Sequence, residues 1–408
     1  MADIVTPRDA HEVEAAVQWA VAQKKSLEIV GHGSKRALGR PAQVDATLDL
    51  SGLSGVTLYE PEELVLSARA GTPLAEIEAL IAAKGQELAF EPMDFAPLLG
   101  GAPGRATIGG ALAANLSGPR RLKAGAARDH FLGFTAVSGR GEVFKSGGRV
   151  VKNVTGYDLC KLMAGSWGTL AAMTDVTVKV LPRAETEATV LLLGLDPVQA
   201  AAAMAAAMGS SGDVSGAAHL PAAIAGRAAH DVAAGRSVTA LRLEGVAPSV
   251  AHRKRALEEL LAPYGMPAAL EAAPSRALWA AIRDVVPFAA GGPAGERHVW
   301  RLSTAPMQGA AAARLIGGQT DAEFLFDWGG GLVWAALAPS DDAGAPVVRG
   351  AIAACGGHAT LIRAPAAVRA SVGAFMPQPG GIAALAKRVK DGFDPTGVLG
   401  PGRMWAGV

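Results

Sequence analysis

Apolar residues recur with helical spacing near the start of the chain. Val13, Val17 and Val21 fall on one face of a helix, because residues three or four apart share a helical face. We expect Thr6 to be the N-cap and Pro7 the first helical residue, since a hydroxyl and a proline suit those positions. The pattern predicts an amphipathic helix packed against a core.

Short apolar runs bounded by turn residues then predict a series of strands, because strands are short and glycine or proline interrupts them. The predicted strands cover residues 27–30, 47–50, 64–69, 131–138, 142–145 and 174–181. The fourth and fifth form a hairpin across Gly139-Arg140-Gly141. Further helices are predicted between residues 71 and 85, at 110–115 and through Leu162.

After Pro182 the pattern changes to alanine-rich helices that alternate with strands. Helices are predicted at 197–208 and 251–261, and strands at 188–193 and 238–243. We expect Pro263–Ala312 to be irregular, and a helix near 382–390 to belong to a segment that returns to the first domain. The predicted domains are residues 1–182, a cap domain at 183–370 and a C-terminal segment at 371–408.

Composition narrows the function classes. The 38 basic and 37 acidic residues nearly cancel, which gives no electrostatic footprint for nucleic acid. The two cysteines cannot form a disulfide framework or a four-thiolate iron–sulfur site. We find no leader-like start and no apolar run of the roughly 18 residues that a membrane span needs, and we therefore expect a cytoplasmic protein without a transmembrane segment.

Two glycine clusters are the first candidates for chemistry. Gly31-His32-Gly33-Ser34-Lys35 follows a strand, and its successive N–H groups with a lysine could form a nest for pyrophosphate. A nucleotide-binding βαβ unit is excluded because Arg36 replaces the third glycine and Gly39-Arg40-Pro41 would end the helix. A simple tight turn remains the alternative.

The second cluster, Thr107-Ile108-Gly109-Gly110, would let backbone donors approach a phosphate or a ring. Arg120, Arg121 and Arg128 follow it. These arginines are either solvated loop residues or partners for phosphate and carboxylate oxygens.

Together these motifs resemble the FAD-binding domain of the vanillyl-alcohol oxidase (PCMH-type) superfamily. The resemblance covers residues 1–182 and rests on the two glycine clusters and on the following segments: Gly-Pro-Arg-Arg at 118–121, Arg-Asp at 128–129, Lys-Asn-Val-Thr-Gly-Tyr-Asp-Leu at 152–159, Val-Lys-Val-Leu-Pro at 178–182, Phe-Asp-Pro at 393–395 and Gly-Pro-Gly-Arg-Met at 400–404. With Asp-Trp-Gly-Gly at 327–330 and Gly-Gly-His-Ala-Thr at 356–360, the chain resembles the family of FAD-binding subunits of bacterial glycolate oxidase.

The resemblance implies an α+β fold, with a two-subdomain flavin domain, an α+β cap and a C-terminal segment that closes the flavin site. It implies that 31–35 wraps the pyrophosphate and that the remaining motif residues line FAD. The implied cofactor-binding residues are Gly31, His32, Gly33, Ser34, Lys35, Thr107, Ile108, Gly109, Gly110, Gly118, Arg128, Asn153, Gly156, Tyr157, Asp158, Val176 and Arg403. Gly400 stands where the superfamily usually has asparagine. His32 precedes Gly33, whereas the histidine that attaches FAD covalently in some members follows the glycines, so we expect non-covalent FAD.

Catalytic residues are less well indicated. Related 2-hydroxyacid dehydrogenases carry a histidine-bearing metal site, but the histidines here, at 219, 230, 252, 298 and 358, form no ligand pair with an acid. We therefore expect no metal. The candidates for catalysis are Tyr157, His358 and Arg121, each of which could instead have a structural role.

Three functions remain open. The chain could be a flavin subunit of a glycolate-oxidising complex, with a larger flavoprotein subunit and an iron–sulfur subunit as partners and a small 2-hydroxy acid as substrate. It could also be a self-sufficient 2-hydroxyacid dehydrogenase, with the arginines near 120–128 or Arg363 binding the carboxylate. The third alternative is an assembly protein with a vestigial nucleotide pocket.

Overall fold

A computed structural model describes residues 3–41, 43–149 and 156–408 and shows an α+β protein. Residues 3–182 are called the N-terminal region. Its strands are β1 (Asp3–Val5), β2 (Leu27–Val30), β3 (Ala46–Asp49), β4 (Val56–Glu60), β5 (Val65–Arg69), β6 (Gln86–Glu87), β7 (Phe131–Ser138), β8 (Val143–Gly147), β9 (Ala171–Lys179) and β10 (Leu181–Pro182). Its helices are α1 (Ala10–Gln23), α2 (Leu74–Ala82), α3 (Ile108–Ala113), α4 (Arg121–Ala124), α5 (Ala127–His130) and α6 (Leu159–Met163).

Two sheets form the body of the N-terminal region. A parallel sheet of order β1-β3-β2 packs against α1, and an antiparallel sheet of order β4-β5-β9-β7-β8 contains the predicted hairpin. The predicted N-cap was wrong: Asp9, not Thr6, caps α1, because its carboxylate accepts a hydrogen bond of 2.9 Å from the Glu12 N–H. Asp is as good an N-cap as Thr, and here it lies one residue before the helix.

Residues 186–363 form the cap region around one eight-stranded antiparallel sheet of order β14-β11-β13-β12-β16-β17-β15-β18. The strands are β11 (Thr186–Leu193), β12 (Gly216–Leu220), β13 (Val238–Gly245), β14 (Ala268–Leu270), β15 (His298–Ser303), β16 (Ala322–Asp327), β17 (Leu332–Leu337) and β18 (His358–Arg363). The helices are α7 (Pro197–Met208), α8 (Ala222–Ala225), α9 (His230–Ala233), α10 (Ala247–Leu261), α11 (Ala272–Arg283), α12 (Gly309–Gly317) and α13 (Ala345–Cys355). Two further helices follow, α14 (Ala366–Ser371) and α15 (Gly380–Phe393).

Short 3-10 turns lie at Leu50–Gly52, Pro97–Leu99, Ala262–Tyr264, Val286–Phe288, Pro306–Gln308 and Trp328–Gly330. The expectation that Pro263–Ala312 is irregular was wrong, because it contains β14, α11, β15 and the start of α12. Pro274 lies in the first turn of α11, where a proline interrupts no hydrogen bond of the helix. Among the described residues, no helix is both long and apolar enough to cross a membrane.

The cap sheet packs one face on the N-terminal region through a shared apolar core. Phe95 and Leu98 of the N-terminal region join Leu278 and Trp334 of the cap in this core. The rings of Phe95 and Trp334 meet edge to face, with centroids 6.1 Å apart, an arrangement that aromatic quadrupoles favour.

Buried ion pairs cross the same interface. Arg242 on β13 donates to both oxygens of Glu91, at 2.8 and 3.0 Å, and Arg120 donates to Glu244 on β13 at 2.6 and 3.1 Å. Burial alone would raise the pKa of Glu91, but Arg242 and Arg120 outweigh it and hold that pKa at about 2. Arg120 also contacts Glu87. The ion pairs among Glu91, Arg120, Arg242 and Glu244 connect the cap to the N-terminal region.

The C-terminal segment returns to the N-terminal region and pairs beside β2. The Leu27 N–H donates to Val398 O at 2.7 Å, and the Gly400 N–H donates to Leu27 O at 2.8 Å. Asp394, fully buried, accepts hydrogen bonds from the N–H groups of Val398 and Leu399 and from the ammonium of Lys390. This network explains the Phe-Asp-Pro motif, because the carboxylate shapes the turn that places the chain beside β2.

Replacing Glu91 with glutamine should destabilise the protein by about 3 kcal/mol, the low end of the range for breaking a buried ion pair. The buried guanidinium of Arg242 loses its two-fold hydrogen-bonded partner and, among the described residues, keeps only the longer ion pair of 3.4 Å with Glu244. The matched control is Glu12→Gln, which removes an exposed pair with Arg8 and should cost far less, because exposed ion pairs contribute little to stability. Urea unfolding at pH 7 measures both variants. Equal losses would contradict the assigned importance of the interface pairs.

Candidate functional site

The loop that follows β2 lines a cleft at the boundary of the two sheets of the N-terminal region. Residues 31–36 form one wall, and Thr107, Gly109 and Gly110 form the wall opposite. A Cβ on Gly31 would lie 2.8 Å from Thr107 Oγ1, and Gly33 adopts a φ of +70°. Only glycine suits both demands without strain. The loop conformation is therefore built for close backbone approach.

The second glycine cluster begins α3, whose N-cap is Thr107. The Thr107 hydroxyl accepts a hydrogen bond of 3.2 Å from the Gly110 N–H. The side chain of Ile108 points into the core of the N-terminal region instead. Thr107 thus orients the glycine backbone that faces the cleft.

Lys35 places a buried cation between the two glycine clusters. Its Nζ lies against Gly110 and 3.3 Å from Ser34 Oγ. In the described part of the chain, no carboxylate lies within 4.0 Å of it. Burial lowers the pKa of Lys35 to about 8, while Asp94 acts in the opposite direction. A buried ammonium without an acidic partner favours the binding of an anion, and successive N–H groups of a glycine loop can form an anion-binding nest.

Arg403 reaches this cleft from the C-terminal segment. Its guanidinium donates to Lys35 O at 3.3 Å and lies 3.5 Å from a carboxylate oxygen of Glu28. It also lies over the Trp167 ring, 5.8 Å from the centroid. Arg403 therefore supports the conformation of the loop in addition to lining the cleft. Gly400 keeps a left-handed φ of +52°, a conformation that asparagine and glycine both tolerate.

A second cleft continues from the first. The first cleft contains about 710 Å³ of empty space and the second about 2000 Å³, and Ala114 and Trp167 line both. The second cleft lies between the N-terminal region, the cap and the C-terminal segment. It is lined by the N-terminal residues Asn115, Arg121 and Arg128, the cap residues Arg301, Trp328 and His358, and the C-terminal residues Phe375, Met404 and Trp405. The two clefts are adjacent, because they share the lining residues Ala114 and Trp167, and together they are called the groove.

The predicted site residues fall into two groups. The residues that line the groove are Gly31, His32, Gly33, Ser34, Lys35, Thr107, Gly109, Gly110, Arg121, Arg128, His358 and Arg403. The residues that line neither cleft are Ile108, Gly118, Gly156, Tyr157, Asp158 and Val176. Asn153 lies outside the described residues.

Most residues of the second group have another visible role. Val176 is a core residue of β9, and Asp158 caps α6 and pairs with Lys161. The Gly118 carbonyl accepts a hydrogen bond of 3.0 Å from Trp328 Nε1, which connects the cap to the N-terminal region. The Tyr157 side chain is 91% exposed.

Two of the arginines considered for carboxylate binding are already engaged. Arg120 pairs with three glutamates, as described above for the interface. Arg363 donates to the backbone carbonyls of Leu98, Phe288, Ala294 and Arg297. The expectation that either grips a substrate carboxylate therefore has no support.

The groove residues that were not predicted include Trp167, Arg301 and Trp328. Trp167 and Trp328 both have left-handed backbone conformations, which neither sequence position signals. Trp328 belongs to the Asp-Trp-Gly-Gly motif, but the motif alone does not indicate which of its residues lines the cleft. In the part of the chain that the structure covers, no group of three or more histidine, cysteine or acidic residues could hold a metal.

The fold has well-matched solved relatives. A sequence model of the FAD binding domain family matches residues 2–147. The structure superimposes on p-cresol methylhydroxylase with a TM-score of 0.71 at 14% identity, covering 98% of this chain and 88% of that one. For 4-ethylphenol oxidase from Gulosibacter chungangensis the TM-score is 0.68 at 13% identity, with 99% and 89% coverage. The PCMH-type FAD-binding fold is therefore confirmed, and FAD is the cofactor.

Lys35→Met should weaken FAD binding about 10- to 100-fold at pH 7, because a charge-assisted contact to the pyrophosphate is lost. In the wild type, a bound anion favours the protonated lysine, so affinity should be full below pH 8 and fall by at most about tenfold per pH unit above it. The variant should lack that decline. Titration of FAD fluorescence at pH 7 and pH 9.5 measures both effects.

The exposed Lys84→Met is the matched control and should behave as the wild type. Unchanged FAD affinity in Lys35→Met would contradict the assigned pyrophosphate loop.

Sequence relatives define the family more narrowly. The chain is 34% identical over 394 residues to glycolate oxidase subunit GlcE of Escherichia coli, covering 96% of this chain and 95% of that protein. It is 28% identical over 191 residues to glycolate oxidase subunit GlcD of Bacillus subtilis, and 32% identical over 189 residues to a D-lactate dehydrogenase of Archaeoglobus fulgidus. These two matches cover 47% and 44% of this chain, and 39% of each relative. Because the GlcE match extends along nearly all of both proteins, this chain belongs to the family of glycolate oxidase subunit GlcE.

Proposed function

We propose that this chain is the FAD-binding subunit of a multisubunit enzyme that oxidises glycolate to glyoxylate. The observation that carries the proposal is the similarity to GlcE along nearly the whole chain. The groove supports it, because one end offers a buried cation for a pyrophosphate and the other end offers basic side chains for an acid substrate. Bound FAD would supply the two-electron acceptor for oxidation of the alcohol carbon.

Different residues of this chain would bind different parts of FAD and the substrate along the groove. Lys35 and the backbone of 31–34 would hold the pyrophosphate, and Thr107 would orient the glycine backbone opposite. Trp167, at the junction of the two clefts, would separate the phosphate end from the end where substrate binds. Arg403 would keep the loop closed through its hydrogen bond to Lys35 O.

Electron transfer beyond the flavin would need partners. Cys160 lies on α6 of the N-terminal region, and burial raises the pKa of its thiol to about 12. Cys355 lies at the end of α13 in the cap. Two separated thiols do not ligate an iron–sulfur cluster. We propose that a separate iron–sulfur subunit takes the electrons and that a larger flavin-containing subunit joins the complex. We propose a cytoplasmic location, with contact to the inner membrane through that complex.

We also propose that FAD is held without a covalent bond, because His32 precedes Gly33 in the loop. Acid precipitation of the FAD-loaded chain should release all flavin absorbance into the supernatant. Flavin that stays with the precipitated protein would show a covalent bond and overturn this part of the proposal.

A second candidate is a self-sufficient 2-hydroxyacid dehydrogenase, which the basic residues of the second cleft favour. A non-catalytic assembly role is the third candidate. The uncompensated Lys35 argues against it, since a buried cation destabilises a pocket that binds nothing.

Anaerobic mixing separates these candidates. The FAD-loaded chain alone should keep its visible flavin absorbance with glycolate or D-lactate, and should lose it with glycolate once the partner subunits are added. Bleaching of the isolated chain would support the self-sufficient dehydrogenase and contradict the proposed division of labour. A chain that takes up no FAD would contradict both.

A further inference from the structure

We propose that Arg301 and Arg121 form a subsite for the carboxylate of a small anionic ligand in the second cleft. The inference rests on the proposed function, since it names the groups that would anchor a 2-hydroxy acid at the same site. Arg301 comes from the cap and Arg121 from the N-terminal region. The subsite therefore exists only where the two parts meet.

Alternation along two paired strands directs polar side chains into the cleft. On β15, Trp300 and Leu302 belong to the core on one face, and on β18 Ala359 and Leu361 belong to the same core. Side chains alternate across a strand, so the residues between them face the other way. The residues on this cleft face are Arg301, Ser303, His358 and Thr360. Arg301 pairs with Thr360, and Ser303 pairs with His358, across the two strands.

Arg301 has no partner that neutralises it. Across residues 3–41, 43–149 and 156–408, its guanidinium makes no hydrogen bond to the protein and has no carboxylate within 4.0 Å. Burial lowers the pKa of Arg301 to about 10, and Arg121 acts in the same direction. A largely desolvated guanidinium is costly unless a ligand pairs with it.

Arg121 holds a second positive charge beside the first. The Cζ atoms of Arg121 and Arg301 lie 4.2 and 5.0 Å from the centroid of the same Trp328 ring. The ring faces compensate each cation only weakly, because a cation–π contact is much weaker than a pairing with an anion. Two like charges held against one ring favour an anion that both can reach.

Asp327 opposes the lowering of the Arg301 pKa but does not neutralise the pair of Arg301 and Arg121. Asp327 lies beyond ion-pairing distance, and its carboxyl accepts a hydrogen bond of 2.7 Å from the Trp328 N–H. Burial raises the pKa of Asp327 to about 7. Among the described residues no acidic side chain lines the second cleft, whereas Arg121, Arg128 and Arg301 do. The cleft therefore keeps a net positive charge.

The neighbouring groups favour a carboxylate that carries an adjacent hydroxyl. Ser303 and Thr360 offer hydroxyl groups. Burial, with Arg301 and Arg121, lowers the pKa of His358, so its neutral imidazole can accept a hydrogen bond from an alcohol. Two guanidinium groups beside these partners match a 2-hydroxy acid, with the arginines acting as positioning residues.

Calorimetric titration of oxalate into the FAD-loaded chain tests this subsite without turnover. We expect saturable one-to-one binding that glycolate displaces and that neutral glycolamide does not. Arg301→Met and Arg121→Met should each weaken oxalate binding about 10- to 100-fold while keeping the wild-type FAD content. Arg301→Lys should recover part of the affinity. Arg314→Met, which removes an exposed guanidinium from α12, should bind oxalate as the wild type does.

Wild-type oxalate affinity in both methionine variants would overturn the subsite. Loss of FAD from folded Arg301→Met or Arg121→Met would also overturn it, since the arginines would then serve the flavin. Absence of oxalate binding in a chain whose complex oxidises glycolate would overturn the subsite and leave the proposed function standing. Oxalate binding in a chain whose complex does not oxidise glycolate would support the subsite and remove the proposed function.

Discussion

The buried ion pairs between Glu91, Arg120, Arg242 and Glu244 determine where the ligand groove can exist. They hold the cap sheet on the N-terminal region, and the second cleft of the groove lies between these two parts and the C-terminal segment. Burying four charges is costly, and the cost is offset only because each guanidinium meets a carboxylate with good geometry. The cap sheet therefore packs on the N-terminal region in the one position that forms these pairs. Trp328, bonded to the Gly118 carbonyl, extends the same contact to the cleft wall.

In the part of the chain that the structure describes, the charges at the two ends of the groove are unpaired, in contrast to the paired charges of this interface. Lys35 and Arg301 are each withdrawn from water, and in the described structure neither pairs with a carboxylate. Charges paired within the protein stabilise the fold, whereas buried cations left unpaired favour the binding of an anion. A ligand that carries a pyrophosphate at one end and approaches a carboxylate substrate at the other would satisfy both. The C-terminal segment completes this arrangement, because Asp394 shapes the turn that carries Arg403 to the loop.

Local signals in the sequence were sufficient for much of the fold. The helix at 197–208 was predicted with the observed bounds, since Asp196 and Pro197 mark its start. The hairpin was predicted at 131–145 and observed at 131–147, because its turn lies between alternating strands. Strands β12, β16 and β17 were not predicted, because their pairing partners are distant in sequence and tertiary contacts stabilise them. For the site, the contiguous glycine loops were found, whereas Arg301 was missed because a charged residue between Trp300 and Leu302 shows its role only once β15 and β18 pair.

A crystal structure of the chain with FAD bound tests most directly whether the buried cation at Lys35 and the glycine loops form the pyrophosphate site of FAD in this GlcE-family subunit. We expect phosphate oxygens within hydrogen-bonding distance of Lys35 Nζ and of backbone N–H groups in 31–34, with the flavin extending past Trp167 into the second cleft. FAD bound with its phosphates away from Lys35 would contradict the assigned pyrophosphate site.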